Sequence, residues 1–190
     1  MPSHDTVLLV GSVPAADADA VFRLLAKELG SRAKRYPDGE TGERTNWIRW
    51  QQRSYDENPG MELLDQSAKI TGQTQRILPL YKIRARDQVK FDTLRFADMA
   101  KQSYAVFERL KTEGVIPASV KFQVSLPTPV AILTGFVVKE DRAAVEPALE
   151  SAMRREIEQI VGTIPHRALA IQWDVCHEVL GHDEIGRAHV

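Results

Sequence analysis

Apolar positions along this chain switch repeatedly between strand-like runs and helical spacing. Thr6–Val10 is a short β-rich run closed by Gly11-Ser12-Val13-Pro14, which reads as a strand followed by a turn. Asp17 opens a helix to about Leu29, with Val21, Leu24, Leu25 and Leu29 on one face and Gly30 as its stop. Ala33–Tyr36 is a short strand, followed by the loop Pro37-Asp38-Gly39-Glu40. Asn46–Tyr55 has the composition of a helix capped by Thr45 or Asn46. Asp56–Gln75 follows neither period. Ile77–Ile83 has strand composition interrupted by Pro79.

The second half is more regular. Phe96, Met99, Ala100, Tyr104, Phe107 and Leu110 form a helical stripe that Gly114 and Pro117 end. Val120–Leu126 is a strand bounded by Pro127 and Pro129. Val145, Leu149, Met153, Ile157, Ile160 and Val161 mark a long amphipathic helix that closes at Gly162 and Pro165. Ala168–Trp173, ALAIQW, is nearly continuous in apolar residues, as in a strand buried on both faces of a parallel sheet. This βαβα order predicts an α/β protein with a parallel sheet. About six strands can be counted, fewer than the eight of a closed β/α barrel, which takes about 250 residues. The sheet is therefore open or the chain incomplete.

Composition narrows the classes. The 190 residues carry 25 Lys+Arg and 26 Asp+Glu, a net charge of −1. With a pI near 6.5 the chain lacks the basic footprint of a nucleic-acid binder. The one cysteine, Cys176, excludes an intrachain disulfide framework and fits a reducing compartment. The Val7–Val10 run is too short for a signal-peptide core or a membrane span. A soluble, cytoplasmic protein is the expectation, with no nucleic-acid or membrane partner.

Three predicted strand ends carry polar or turn residues: Gly11-Ser12, Asp38-Gly39-Glu40 and Asp174. In a parallel β/α fold such ends converge on one face, where sites are built. Each has a plainer reading. Ser12 also suits a helix N-cap, and Glu40, Glu43 and Arg44 also suit a solvated loop. Asp174 is the sharper candidate, because a carboxylate closing so apolar a run is costly unless used or paired. Cys176 and His177, with only His182 nearby, do not have zinc-site spacing, and a buried inert cysteine is the expectation. Trp47 and Trp50 share a helical face and read as packing residues.

Four segments carry a family resemblance. VLLVGSVP, PDGETGERTNWI, PTPVAILTGFVVKED and AIQWDVCHEV follow the order and spacing of four segments of the catalytic barrel of cobalamin-independent methionine synthase, and together they span most of Val7–Val179. The chain resembles the methionine-synthase-like side of a superfamily that also holds uroporphyrinogen decarboxylase. The resemblance implies an incomplete (β/α)8 TIM barrel, roughly its first five βα units. It also implies a methyltransferase in which a zinc-activated homocysteine thiolate takes a methyl group from a reduced folate. Ser12, Glu40 and Asp174 match the family's amino-acid-binding Ser, Glu and Asp. Gly11 and Ser12 then suit the substrate carboxylate, and Glu40 and Asp174 its ammonium. Arg44 balances the carboxylates or reaches a second substrate's acid group. No catalytic residue is assigned.

The departures lie on the methyl-donor side. Gly135 stands where the family has a folate-contacting Trp, Asp38 replaces a His, and Val175 and Cys176 replace a Glu-Pro pair. The family's zinc ligands would fall after Val190, so no metal ligand is assigned in this chain. Two other readings stand beside the methyltransferase: a uroporphyrinogen decarboxylase-like enzyme using Arg44 and Arg49, and a non-catalytic fragment that binds a small molecule. The last seven residues, Glu184–Val190, match one reading frame of a common short-read sequencing adapter. The expected organisation is therefore residues 1–183 as the N-terminal part of one barrel domain and 184–190 as a non-native tail. Oligomeric state has no signal in the sequence.

Overall fold

A computed structural model describes residues 6–46, 48–65, 78–175 and 178–179. Contacts divide them into two units. The first draws on residues 1–47, 95–126 and 156–173, the second on 48–94, 127–155 and 174–190.

The first unit is built on a parallel three-stranded sheet. Its strands are β1 (Arg35–Pro37), β4 (Lys121–Pro127) and β5 (Leu169–Asp174), in the order β1-β4-β5. β1 and β4 pair in register from Arg35↔Lys121 to Pro37↔Gln123. Helix α1 (Ala18–Glu28) is capped by Asp17, whose side chain accepts from the Ala20 amide at 2.9 Å. Helix α3 (Phe96–Thr112) buries Phe96, Ala97, Ala100, Ser103, Phe107 and Leu110. Phe22 of α1, Phe107 of α3 and Phe122 of β4 meet edge-on or tilted, with centroids 5.4–6.1 Å apart, in the favoured geometry for aromatic rings. On the outer face, Asp19 pairs with Arg23 and Arg109, which hold its carboxyl below the usual carboxylate range.

The second unit holds an antiparallel pair, β2 (Met61–Asp65) and β3 (Leu80–Ile83), with register Met61↔Ile83. The short helix α2 (Gln52–Asp56) and helix α4 (Pro129–Phe136) accompany them. Tyr55, Tyr81, Phe91 and Phe136 form its aromatic centre, with Tyr55 5.2 Å from the Tyr81 ring and 5.0 Å from the Phe136 ring. Helix α5 (Arg142–Thr163) contributes its first part to this unit and its last part to the first.

This architecture overturns the expected run of five βα units of a TIM barrel. Among the described residues there are five strands, three parallel and two antiparallel. The chain departs from the barrel pattern at two places. β2 and β3 pair antiparallel, where successive strands of βα units pair in parallel. The predicted first strand, Thr6–Val10, joins no ladder among the described residues; isolated bridges form at Val7↔Ala33 and, just beyond it, at Ser12↔Gly39. Its C-terminal end is drawn off by side chains. The Val10 carbonyl accepts from Gln123 Nε2 at 3.0 Å, Ser125 Oγ at 2.8 Å and Gln172 Nε2 at 2.5 Å.

Smaller differences have equally local causes. Leu24, expected on the buried face of α1, is 42% exposed, while Phe22 completes the buried stripe with Val21 and Leu25. β5 is an edge strand with Trp173 41% exposed, so the apolar ALAIQW run is not buried on both faces. The expected helix over 46–55 opens as separate 3-10 turns and becomes α-helical at Gln52. α4 goes unread in the sequence although Thr128 caps it and Pro129 opens it. No helix among the described residues is long and apolar enough to cross a membrane. The tail 184–190 lies outside the described residues.

Burial pushes the Tyr55 hydroxyl well above the usual tyrosine range, with the Tyr81 ring adding to it; burial and then Asp56 do the same to Tyr81. Unfolded tyrosines ionise at about pH 10, so the stabilisation from these two is complete below that pH and falls as pH rises beyond it. Near-ultraviolet titration is expected to show their tyrosinate signal appearing together with alkaline unfolding rather than before it. The Tyr55 hydroxyl is buried with no hydrogen-bond partner among the described residues. Tyr55→Phe is therefore expected to change stability by less than about 1 kcal/mol or to raise it, as read by thermal unfolding.

Candidate functional site

The loop after β1 gathers the polar groups of the first unit. Asp38, the first residue beyond β1, is 6% exposed and fully engaged. Its Oδ2 accepts from Arg44 Nη2 at 2.7 Å and from Ser103 Oγ at 2.6 Å, and its Oδ1 from the Glu40 amide at 3.1 Å. A buried carboxylate needs this complement, since its unpaired charge would be strongly destabilising. Arg44 is itself largely covered, with its side chain 15% exposed, so its ion pair with Asp38 is mostly shielded from solvent.

Gly39 and Glu40 both adopt left-handed backbone, at φ 82° and 51°. Gly39 has no alternative. A Cβ there would stand 2.5 Å from Val21 Cγ2 and 3.2 Å from the Val13 carbonyl oxygen. Glu40 carries the strain of this conformation with a full side chain. The two residues turn the Glu40 carboxylate toward Ser12, whose hydroxyl donates to Glu40 Oε2. Gly11 packs against the same group: a Cβ on it would lie 3.1 Å from Glu40 Oε1 and 3.3 Å from Ser125 Oγ.

Beside this pair is a cavity of about 10 Å³, about the size of one water, lined by Asp38, Glu40, Arg44 and Ser125 over a floor that includes Phe96 and Phe122. One guanidinium faces two carboxylates, and the guanidinium is committed to the buried one.

Of the residues singled out in the sequence, the structure thus brings together Gly11, Ser12, Glu40 and Arg44. Ser12 is not the helix cap, because Asp17 holds that position five residues later. Arg44 points to Asp38 and balances a carboxylate, one of its two expected roles. Asp174 ends β5, half-buried, and belongs to the second unit. Cys176, His177, His182 and Trp47 lie outside the described residues. Sequence reading placed Asp38 at a candidate strand end without giving it a role, and it missed Ser103. The available signal was Ser103 itself, a polar residue on the apolar stripe of α3 at the spacing of Phe96, Ala100 and Phe107.

Comparison of the chain with protein-family models, with curated proteins and with solved structures found no match. Among the described residues no three His, Cys, Asp or Glu side chains group to hold a metal ion. The zinc that the family resemblance implies has no fitting ligand set among the described residues. Gly135 lies inside α4, where a Cβ would stand 2.8 Å from Ile48 Cδ1, so a larger residue there requires the end of the Ile48 side chain to shift.

The conformation of the loop makes a direct prediction. Gly39→Ala introduces a Cβ into Val21 at a left-handed position. It is expected to destabilise the protein by about 1–3 kcal/mol in denaturant unfolding. A stability equal to wild type would mean that the Gly39-Glu40 turn is not as described.

Proposed function

We propose that the Ser12–Glu40 pair binds the ammonium group of an α-amino acid. In this reading the chain supplies the amino-acid-binding part of a methionine synthase-like methyltransferase acting on a small thiol such as homocysteine. The observation that carries it is the strained, left-handed Glu40 with its carboxylate turned onto the Ser12 hydroxyl beside a water-sized cavity. The order and spacing of the four methionine-synthase-like segments support the same reading.

The chemistry of binding follows from the groups present. Glu40 offers an anionic acceptor and Ser12 Oγ a neutral one, and an ammonium has three N–H donors to fill such positions. Charge-assisted bonds of this kind are about twice as strong as neutral ones. Gly11 lets the backbone come close to the carboxylate. In methyl transfer, the S–CH3 bond to the acceptor thiol forms as the bond from the methyl to its donor breaks. The role of these residues is to fix the amino acid so that its thiol has one position. Folate is not the donor this reading favours, because Gly135 stands where the family has its folate-contacting Trp.

The decarboxylase alternative needs cations for several substrate carboxylates. Arg44, one of its two candidates, is already committed to Asp38, which weighs against it.

Calorimetric titration of the chain with L-methionine and L-homocysteine, and with 4-(methylthio)butanoate as the analogue lacking the amino group, tests the reading. The amino acids are expected to bind and the analogue to bind about 10- to 100-fold more weakly, as for loss of a charged hydrogen bond. Glu40→Gln is expected to reduce amino-acid affinity by a similar factor and to leave the analogue's unchanged. Equal binding of all three compounds would overturn it.

A further inference from the structure

We infer that Asp38 is a positioning residue: its buried carboxylate holds Glu40 in the left-handed conformation that aims the Glu40 side chain at the ligand. For what Glu40 grips, this rests on the amino-acid reading above; for the positioning itself, it rests on geometry alone.

Three observations converge. The Glu40 amide donates to Asp38 Oδ1 at 3.1 Å, across two residues, and so closes a local turn. Asp38 cannot swing away, because its Oδ2 is held from two directions, by Arg44 at 2.7 Å from the same loop and by Ser103 at 2.6 Å from the middle of α3. Glu40 has no intrinsic preference for φ 51°, so the conformation has to be imposed by its surroundings. The Asp38 carboxylate is thus divided: one oxygen is anchored to the helix and the arginine, and the other holds the strained residue.

This division separates positioning from a merely structural ion pair. Asparagine at position 38 keeps a carbonyl oxygen for the Glu40 amide but gives up the charge facing Arg44. Alanine gives up both. A structural ion pair would make the two substitutions equivalent at position 40, whereas positioning makes them differ.

The test compares Glu40→Gly with Glu40→Ala in the full chain, in wild-type, Asp38→Asn and Asp38→Ala backgrounds. Both substitutions remove the Glu40 side chain, so the difference in Tm between Gly and Ala reads the cost of a left-handed residue at that position. Glycine is expected to exceed alanine by about 2–4 °C in the wild-type and Asp38→Asn backgrounds, and by less than about 1 °C in the Asp38→Ala background. The same advantage in all three backgrounds overturns the inference. Ser103→Ala, which removes one bond and keeps the ion pair, provides a second measurement if Asp38→Ala does not fold. Hydrogen exchange at the Glu40 amide is expected to quicken about tenfold while the β4 amides are unchanged, and an unchanged Glu40 rate overturns it. L-methionine affinity is expected to fall about tenfold in Asp38→Ala and to stay within about threefold in Asp38→Asn. If the desamino analogue binds as well as L-methionine, the amino-acid reading fails while the glycine-against-alanine comparison still decides the positioning role.

Discussion

A carboxylate removed from water costs several kcal/mol unless charge and hydrogen bonds replace its hydration, and Asp38, at 6% exposure, imposes that requirement on the first unit. Its replacements come from distant parts of the chain. Arg44 lies six residues on, in the same loop, and Ser103 sixty-five residues on, in the middle of α3. Meeting the demand of one side chain therefore fixes how the β1 loop folds back and which face α3 turns toward it. The aromatic contacts among Phe22, Phe107 and Phe122 hold α3 from its other buried positions. The apolar contacts set the distance of the helix from the sheet, and the Ser103 bond adds a direction that a non-directional apolar contact cannot supply.

The helices are legible because their signals are local. Asp17 as cap, the stripe from Phe96 to Leu110 and the stop at Gly114 each need only neighbours within about two turns. The strands are legible in composition but not in partnership. Thr6–Val10 has the residues of a strand, yet its carbonyls are taken by Gln123, Ser125 and Gln172, residues more than a hundred positions away. No local pattern reports that competition. β2 is hidden for a different reason: MELLD alternates poorly and carries Leu63 and Leu64 exposed, so its period is not that of a half-buried strand. The barrel expectation fails for the same reason in larger form. It assumes that strands in series pair in parallel, and β2 and β3 pair antiparallel instead.

The site is legible in part. Gly11, Ser12 and Glu40 converge because two parallel segments, bridged at Ser12↔Gly39, end side by side. That placement is a consequence of topology which the position of the residues at strand ends already suggests. Arg44 does face a carboxylate, but that carboxylate is Asp38 rather than a ligand's. Asp38 itself reads in the sequence as a polar residue at a strand end, and nothing in Pro37-Asp38-Gly39-Glu40 says that its aspartate is buried. Burial of a charged residue is a tertiary fact, and its only trace in the sequence is Ser103, a hydroxyl interrupting an apolar stripe.

Two residues other than glycine are left-handed among those described, Glu40 and Arg95. In both, the backbone amide is held by a buried carboxylate: Asp38 holds Glu40, and Glu156, 3% exposed, holds Arg95 at 3.1 Å. The shared device has different results. Glu156 gives its second oxygen to the Ala97 amide at 2.7 Å, so both of its oxygens serve the first turn of α3, and the conformation of Arg95 is explained by capping that helix. Asp38 gives one oxygen to a backbone amide and anchors the other with side chains, and the residue it constrains begins no α-helix. Capping thus accounts for the strain at Arg95 and leaves that at Glu40 unexplained. What remains at Glu40 is the direction of its side chain, onto Ser12 and the cavity. Strain that serves no α-helix end and is maintained by three separate hydrogen bonds supports the proposed positioning of the Glu40 side chain.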